Sequence, residues 1–338
     1  MTYLSHKPIV PASAAHAGVT IADKAKGVLR RGPKGNRPTE KAHEHDRARE
    51  LDQFYTEPEV AKILVDWFHL MRIKHNLCQL EETTFIEPSA GTGSFLRLLP
   101  PGTVGYDLDP KGPGIIKRDF FEVTFNPDER IVVIGNPPFG KNADKAAGFF
   151  NHAAQAAEII AFVVPLTFQK VSIQNRLDLN FHLIDELPLP ANAFLFEGRS
   201  KHVPTVFQIW ARRSTPRKKL KLPTSHPDFK FLKAEDKEKP HFAIQRVGAN
   251  AGRVHRDFKR SPFSHYFIVA APGMTNLQTA MQALDFASAA RRTSGNPSLA
   301  KTELVEIYAR FRNAHSDNPQ SGFEASKLLN SLMGEQRP

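Results

Sequence analysis

Asn136-Pro137-Pro138-Phe139 follows the apolar run Ile131–Ile134 and is the most specific local pattern in the chain. Two consecutive prolines remove two N–H donors and fix φ, so the segment cannot extend a sheet ladder. It must stand out as a rigid lip at the carboxyl end of a strand, the edge where open α/β sheets bind ligands. Such a lip offers two acceptors, the Asn136 side-chain carbonyl and the Pro137 main-chain carbonyl. Two acceptors at fixed reach suit an amine conjugated with a ring. That nitrogen is a poor nucleophile, and accepting from both its N–H bonds favours a pyramidal centre with a directed lone pair. Orientation is the main contribution, helped by fixed dipoles acting on developing positive charge. With proline at roughly 5% usage, the pattern arises by chance in about one chain in a hundred of this length, so its neighbours decide its meaning.

The first neighbour is Glu87-Pro88-Ser89-Ala90-Gly91-Thr92-Gly93-Ser94-Phe95. A buried strand containing Phe85 and Ile86 ends on an acid, and a glycine-rich turn then opens a helix. Glycines there let the backbone approach a ligand closely. Position 96 is leucine, so this is not the G-x-G-x-x-G of dinucleotide enzymes, and no Gly-Lys-Ser/Thr follows to make a phosphate loop. The next strand, Val104–Tyr106, ends in Asp107-Leu108-Asp109-Pro110. An acid at that tip is where nucleotide-binding α/β folds hold ribose hydroxyls, although Asp109 before Pro110 also suits a helix N-cap. Arg118-Asp119-Phe120-Phe121 closes the third strand region with a carboxylate for an exocyclic amine and an aromatic ring for a purine.

The ordered set Phe54-Tyr55-Thr56, EPSAGTGSF, YDLDP, RDFF and NPPF resembles the S-adenosylmethionine-dependent amino-methyltransferases of nucleic acids. More narrowly it is similar to the gamma-type N6-adenine DNA methyltransferases, over roughly residues 52–211. The resemblance implies a class I methyltransferase (Rossmann-like) α/β fold, a mixed seven-strand sheet with helices on both faces, followed by a small C-terminal recognition region. It places Thr56 near the cofactor's methionine carboxylate and Glu87, Ala90 and Gly91 along its methionine part and ammonium group. Asp107 takes the ribose hydroxyls, Asp119 accepts from the adenine amine, and Phe120 packs on that ring. Asn136, Pro137, Pro138 and Phe139 hold a target base flipped from its helix, Phe139 stacking on it. Phe196, in NAFLFEG, covers the base's other face, or else Phe194 and Phe196 are core residues. The implied reaction is methyl transfer from S-adenosyl-L-methionine to adenine N6 in DNA. The same lip would serve an RNA adenine N6 methyltransferase, a protein glutamine N5 methyltransferase, or a noncatalytic nucleic-acid binder that kept the fold.

The elements that position these residues follow from periodicity. Thr56-Glu57-Pro58-Glu59 has the form of a capping box, and Val60, Ile63, Leu64, Trp67, Phe68 and Met71 then recur as on an amphipathic helix. From Thr83 onward, short β-branched runs alternate with helical stretches such as Ala143 to Ala157, as in a doubly wound sheet. Strands are expected at Leu183–Leu187 and Val206–Ala211, joined by a loop rich in Phe and Gly. Four segments result: a disordered basic arm (1–50), the cofactor-binding catalytic domain (51–211), a basic recognition region (212–275), and a helical tail ending in a polar disordered segment (276–338).

Charge supports that division. The net charge is +11, yet residues 51–210 carry 14 basic and 19 acidic side chains, whereas 211–260 carry 15 and five. So lopsided a block suits a polyanion, with Arg217, Lys218 and Lys219 as phosphate contacts. It disfavours a protein substrate, as does a recognition region that follows the cofactor motifs. The single cysteine, Cys78, excludes an internal disulfide and a Cys-rich zinc site, and its place in HNLCQL excludes thiolate-dependent cytosine C5 methylation. The histidines show no H-x-x-x-H pairing for a metal, and no apolar run reaches the roughly 18 residues of a membrane span. The expected protein is soluble and cytoplasmic, with no nuclease-like module to mark a restriction partner.

Overall fold

The computed structural model describes residues 54–316, apart from 197, 198, 234 and 294. The expected arm and polar tail lie outside the described residues. Strand β1 (Tyr55–Thr56) leads into helix α1 (Pro58–Lys74), then β2 (Thr84–Glu87), β3 (Val104–Asp107), β4 (Ile115–Lys117) and β5 (Ile131–Gly135). Helix α2 (Asp144–Ala153), β6 (Ala157–Pro165), a short α3 (Val171–Gln174), β7 (Phe181–Pro188), β8 (Phe194–Phe196), β9 (Arg199–Lys201) and β10 (Thr205–Arg212) follow.

Seven strands form one sheet in the order β4-β3-β2-β5-β6-β10-β7, all parallel except β10. This is the class I methyltransferase, Rossmann-like arrangement. Its central strands are buried on both faces, which explains their unbroken apolar runs. Val132, Ile134, Ile159, Ala161, Val163, Phe207 and Ile209 pack under α1, while Ile131, Val133, Ile160, Phe162, Val164 and Trp210 pack under α2. Strand order reverses between β2 and β5. The carboxyl ends of these two strands therefore flank the crevice in which such sheets take ligands, and they bring Glu87 beside Gly135-Asn136.

Several local expectations are corrected. Thr56 belongs to β1, and the N-cap of α1 is Glu57, which makes no side-chain cap bond. Pro58 presets the first turn instead, and Glu57 N–H is held by Ala193 O at 3.0 Å. On α1, Ile63 faces solvent at 56% exposure, its inward place taken by Ala61 and Val65. The glycine loop opens only one 3-10 turn, Leu96–Leu98, because Pro100 and Pro101 follow at once. The connection before β10 contains β8 and β9, which pair with β1 in a second, three-stranded sheet.

Beyond β10, strands β11 (Phe229–Phe231), β12 (Phe242–Gln245), β13 (Val254–His255) and β14 (His265–Ala270) form an antiparallel sheet in the order β11-β14-β12-β13. Helices α4 (Leu277–Gln282), α5 (Phe286–Ala290) and α6 (Lys301–Ser316) cover it. Phe229, Phe242, Ile244 and Ile268 share one core with Leu277, Met281, Phe286, Leu304, Val305 and Tyr308. The helices thus form a second layer over this sheet and share its core. Lys170 joins the two parts, bonding Ser298 O at 3.0 Å and Glu303 Oε2 at 3.1 Å.

Candidate active site

A cleft opens at the carboxyl edge of β2, β3 and β5. Thr56, Glu87, Ala90, Gly91, Asp107, Phe120, Asn136 and Pro138 line it, together with Phe54, Tyr55, Ser89, Leu108 and Arg118. Ala90 N–H donates to Tyr106 O at 2.8 Å, and Gly91 N–H donates to Asp107 Oδ2 at 2.7 Å. Asp109 N–H reaches Asp107 Oδ1, also at 2.7 Å. These bonds fold the glycine loop over the tip of β3 and keep the Asp107 carboxylate at the cleft wall. Gly91 has φ +52, and a Cβ there would lie 2.7 Å from the Tyr55 ring. Only glycine allows the loop this close to Tyr55.

The least exposed polar group of the cleft wall is Glu87, at 2%, with Oε2 bonded to nothing. Burial pushes its carboxyl well above the ordinary 4.5, and the Asp107 charge adds to the shift. Thr56 Oγ1 is likewise buried without a partner. Two orphaned polar atoms beside an acid at the tip of β3 are a donor set suited to a cationic ligand that also carries hydroxyls. Burial, then the charges of Asp107 and Asp109, raise the Tyr55 phenol to about 12, so it is a donor at neutral pH.

Asn136 lines the same cleft. Its Nδ2 donates to Phe54 O at 2.8 Å, its main-chain carbonyl accepts from Ser89 Oγ at 2.9 Å, and Oδ1 is buried with no partner. A carbonyl such as Phe54 O can face only the amide's NH2 side, so the Asn136 carboxamide has one orientation, oxygen free.

Other expected residues are placed differently. Asp119 is not in the cleft wall, and its Oδ1 caps the 3-10 turn Phe120–Glu122 by accepting from Phe121 N–H at 2.9 Å. Phe120 lines the cleft from below, stacked on Phe149 with centroids 5.3 Å apart. Phe139 is 7% exposed and meets Phe194 edge-on at 6.3 Å, because the ring that follows two prolines turns into the core under α1. It presents no open stacking face. Pro137 is buried and Phe194 is core. Phe196 belongs to β8, and its side chain lies outside the described residues.

Arg217 is the largest departure. Its guanidinium donates to the carbonyls of Phe181 (2.9 Å), Leu177 (3.2 Å) and Gln174, and lies over the Trp210 ring. Phe181 is the first residue of β7, which runs parallel to β6, so this anchor sits at the amino edge of the sheet, opposite the cleft. Lys218 and Lys219 follow it, exposed. Among the described residues no group of three His, Cys, Asp or Glu could hold a metal ion, and no helix is long and apolar enough to cross a membrane.

Tyr55, Ser89 and Leu108 were not singled out from the sequence. Each adjoins a residue that was, but contacts such as Ser89 to Asn136, 47 residues apart, leave no mark in a linear pattern.

No family model matches the sequence, and neither does any curated protein. Several solved structures are similar to part of this chain. One is a Pyrococcus horikoshii protein whose description proposes an RNA methyltransferase (19% identity, 48% of this chain and 87% of that one, TM-score 0.36). Another is the 23S rRNA methyltransferase ErmE (16%, 44% and 68%, 0.32). A third is the protein of the DrdV–DNA complex (16%, 51% and 28%, 0.37). Likeness of this depth does not extend to chemistry.

Proposed function

We propose that this chain transfers a methyl group from S-adenosyl-L-methionine to the N6 amine of adenine in DNA. The observation that carries the proposal is the Asn136 carboxamide, held by Phe54 O with Oδ1 buried and unpartnered in a cleft that Glu87 also lines. Glu87 Oε2 and Thr56 Oγ1 are the orphaned atoms a methionine ammonium and carboxylate would satisfy, and Asp107 at the tip of β3 suits a ribose diol. The residues fit that cofactor. When bound, it supplies a methyl group on a sulfonium, electrophilic without any metal.

The chain's own part is orientation. Asn136 Oδ1 and the Pro137 carbonyl accept the two N–H bonds of the target amine, which localises the lone pair on nitrogen and aims it into the cleft. Their dipoles stabilise the positive charge that grows on that nitrogen. The displaced proton is held against Asn136 Oδ1 until solvent takes it. Phe139 serves from below, fixing the lip through Phe194.

Polyanion binding is supported by the +11 charge and by the folded C-terminal unit that Lys170 joins to the cleft side of the sheet. Arg217 fastens the intervening segment at the far edge of the sheet, and the exposed Lys218, Lys219 and Lys221 that follow it are proposed as contacts to phosphates beyond those at the target base. The test is labelled S-adenosylmethionine offered with double-stranded DNA, single-stranded DNA, RNA and bulk protein, followed by nucleoside and amino-acid analysis. N6-methyladenine in DNA is expected. Label confined to RNA adenine would shift the substrate, and label in glutamine or nowhere would refute the proposal.

A further inference from the structure

We infer that Ser89 is a positioning residue which couples occupancy of the cofactor cleft to the catalytic setting of Asn136; the inference rests on the methyl-transfer reading above. The Asn136–Pro137 peptide has no N–H, so its carbonyl is the one group through which a hydrogen bond can fix that peptide plane. Ser89 Oγ supplies the bond at 2.9 Å. Proline φ is locked near −65°, so fixing this plane also limits where the next carbonyl, Pro137 O, can point. One hydroxyl thereby constrains both acceptors of the lip.

Ser89 is itself held by the cofactor loop. Pro88 precedes it, Ala90 N–H is tied to Tyr106 O, and Gly91 N–H is tied to Asp107. Residues 87–92 all line the cleft, so a ligand that orders this loop also orders the Ser89 hydroxyl. The second tether of Asn136, from Nδ2 to Phe54 O, comes from the segment carrying Tyr55 and Thr56, which line the same cleft. Asn136 is thus clamped between two walls of the cofactor site. The lip is set for the amine when those walls are set by cofactor.

The experiment compares wild type, Ser89→Ala and Ser89→Thr in methyl transfer at saturating cofactor, in cofactor binding by calorimetry, and in hydrogen exchange of the peptide 131–140 with and without cofactor. Ser89→Ala is expected to lower kcat about tenfold, as for one lost neutral hydrogen bond that orients the reacting group. Because coupling between two sites is reciprocal, its cofactor Kd should weaken too, by no more than the factor lost in kcat. Ser89→Thr, which keeps the hydroxyl, restores kcat. Cofactor slows exchange in the lip of the wild type and not in that of Ser89→Ala. An unchanged kcat, a cofactor Kd that weakens by more than kcat falls, a threonine variant no better than alanine, or lip protection that persists in Ser89→Ala overturns the inference. If wild type binds cofactor yet methylates no acceptor, the methyl-transfer reading fails while the exchange comparison still decides the coupling.

Discussion

Replacing Glu87 by glutamine separates what burial costs this protein from what it supplies. Glu87 is 2% exposed, Oε2 has no partner, and burial raises its carboxyl well above 4.5. A carboxyl with a raised folded pKa stays protonated in the native state after it has ionised in the unfolded chain. The native state therefore loses stability as pH climbs from about 4.5 toward the folded value, tenfold in the folding equilibrium per pH unit for one proton. Glu87→Gln cannot ionise, so its Tm should exceed that of wild type at neutral pH and converge with it near pH 4. Binding a cation reverses the sign. The cofactor's ammonium favours the carboxylate, so binding releases up to one proton, and affinity rises with pH by at most tenfold per unit below the folded pKa. Calorimetry between about pH 5 and pH 7, in two buffers of different ionisation heat, reads that proton directly. The glutamine variant should bind weakly and with no release from this position. Proton uptake by wild type, a pH-independent affinity, or the same release from Glu87→Gln would refute the reasoning.

Asn136→Ala should cost methyl transfer roughly 10²–10⁴-fold, the scale of positioning and electrostatic terms lost together. Asn136→Asp keeps part of the activity because a carboxylate still accepts, and substantial N6-methyladenine formation by the alanine variant would end the mechanism. Phe139→Ala should cost about 3–5 kcal/mol of stability in a denaturant titration, since the ring fills core against Phe194. Asp107→Ala should weaken cofactor binding by about 1.5–3 kcal/mol, a lost charge-assisted bond, and unchanged calorimetric affinity would remove the ribose assignment. Reversing Lys218, Lys219 and Lys221 to Glu should flatten the salt dependence of DNA binding by about 0.9 in slope per lost phosphate contact. Arg217→Ala should instead lower Tm, because three carbonyls lose their donor, and the opposite pairing of effects would reverse these roles.

The doubly wound sheet was legible in the sequence because strands buried on both faces are written as unbroken apolar runs, Ile131–Ile134 and Ile159–Val164 among them. The lip was legible because two prolines exclude a ladder whatever surrounds them. Glu87 could be placed at a strand tip since it directly follows the buried Phe85-Ile86, and Asp107 since it ends the short run Val104–Tyr106. Local sequence failed where the deciding partner is distant. Thr56 resembles a helix cap until β8 claims its backbone, and Phe139 resembles a free stacking ring until Phe194 meets it. Arg217 resembles a phosphate contact, but three carbonyls around the start of β7 already hold it at the far edge of the sheet. Charge and aromaticity are properties of a residue, whereas availability is a property of its surroundings. The sequence alone determined which chemical groups the cleft contains. Only the tertiary structure decided which of them keep a free atom, because a hydrogen bond or a buried face is spent on whichever neighbour the fold brings within reach.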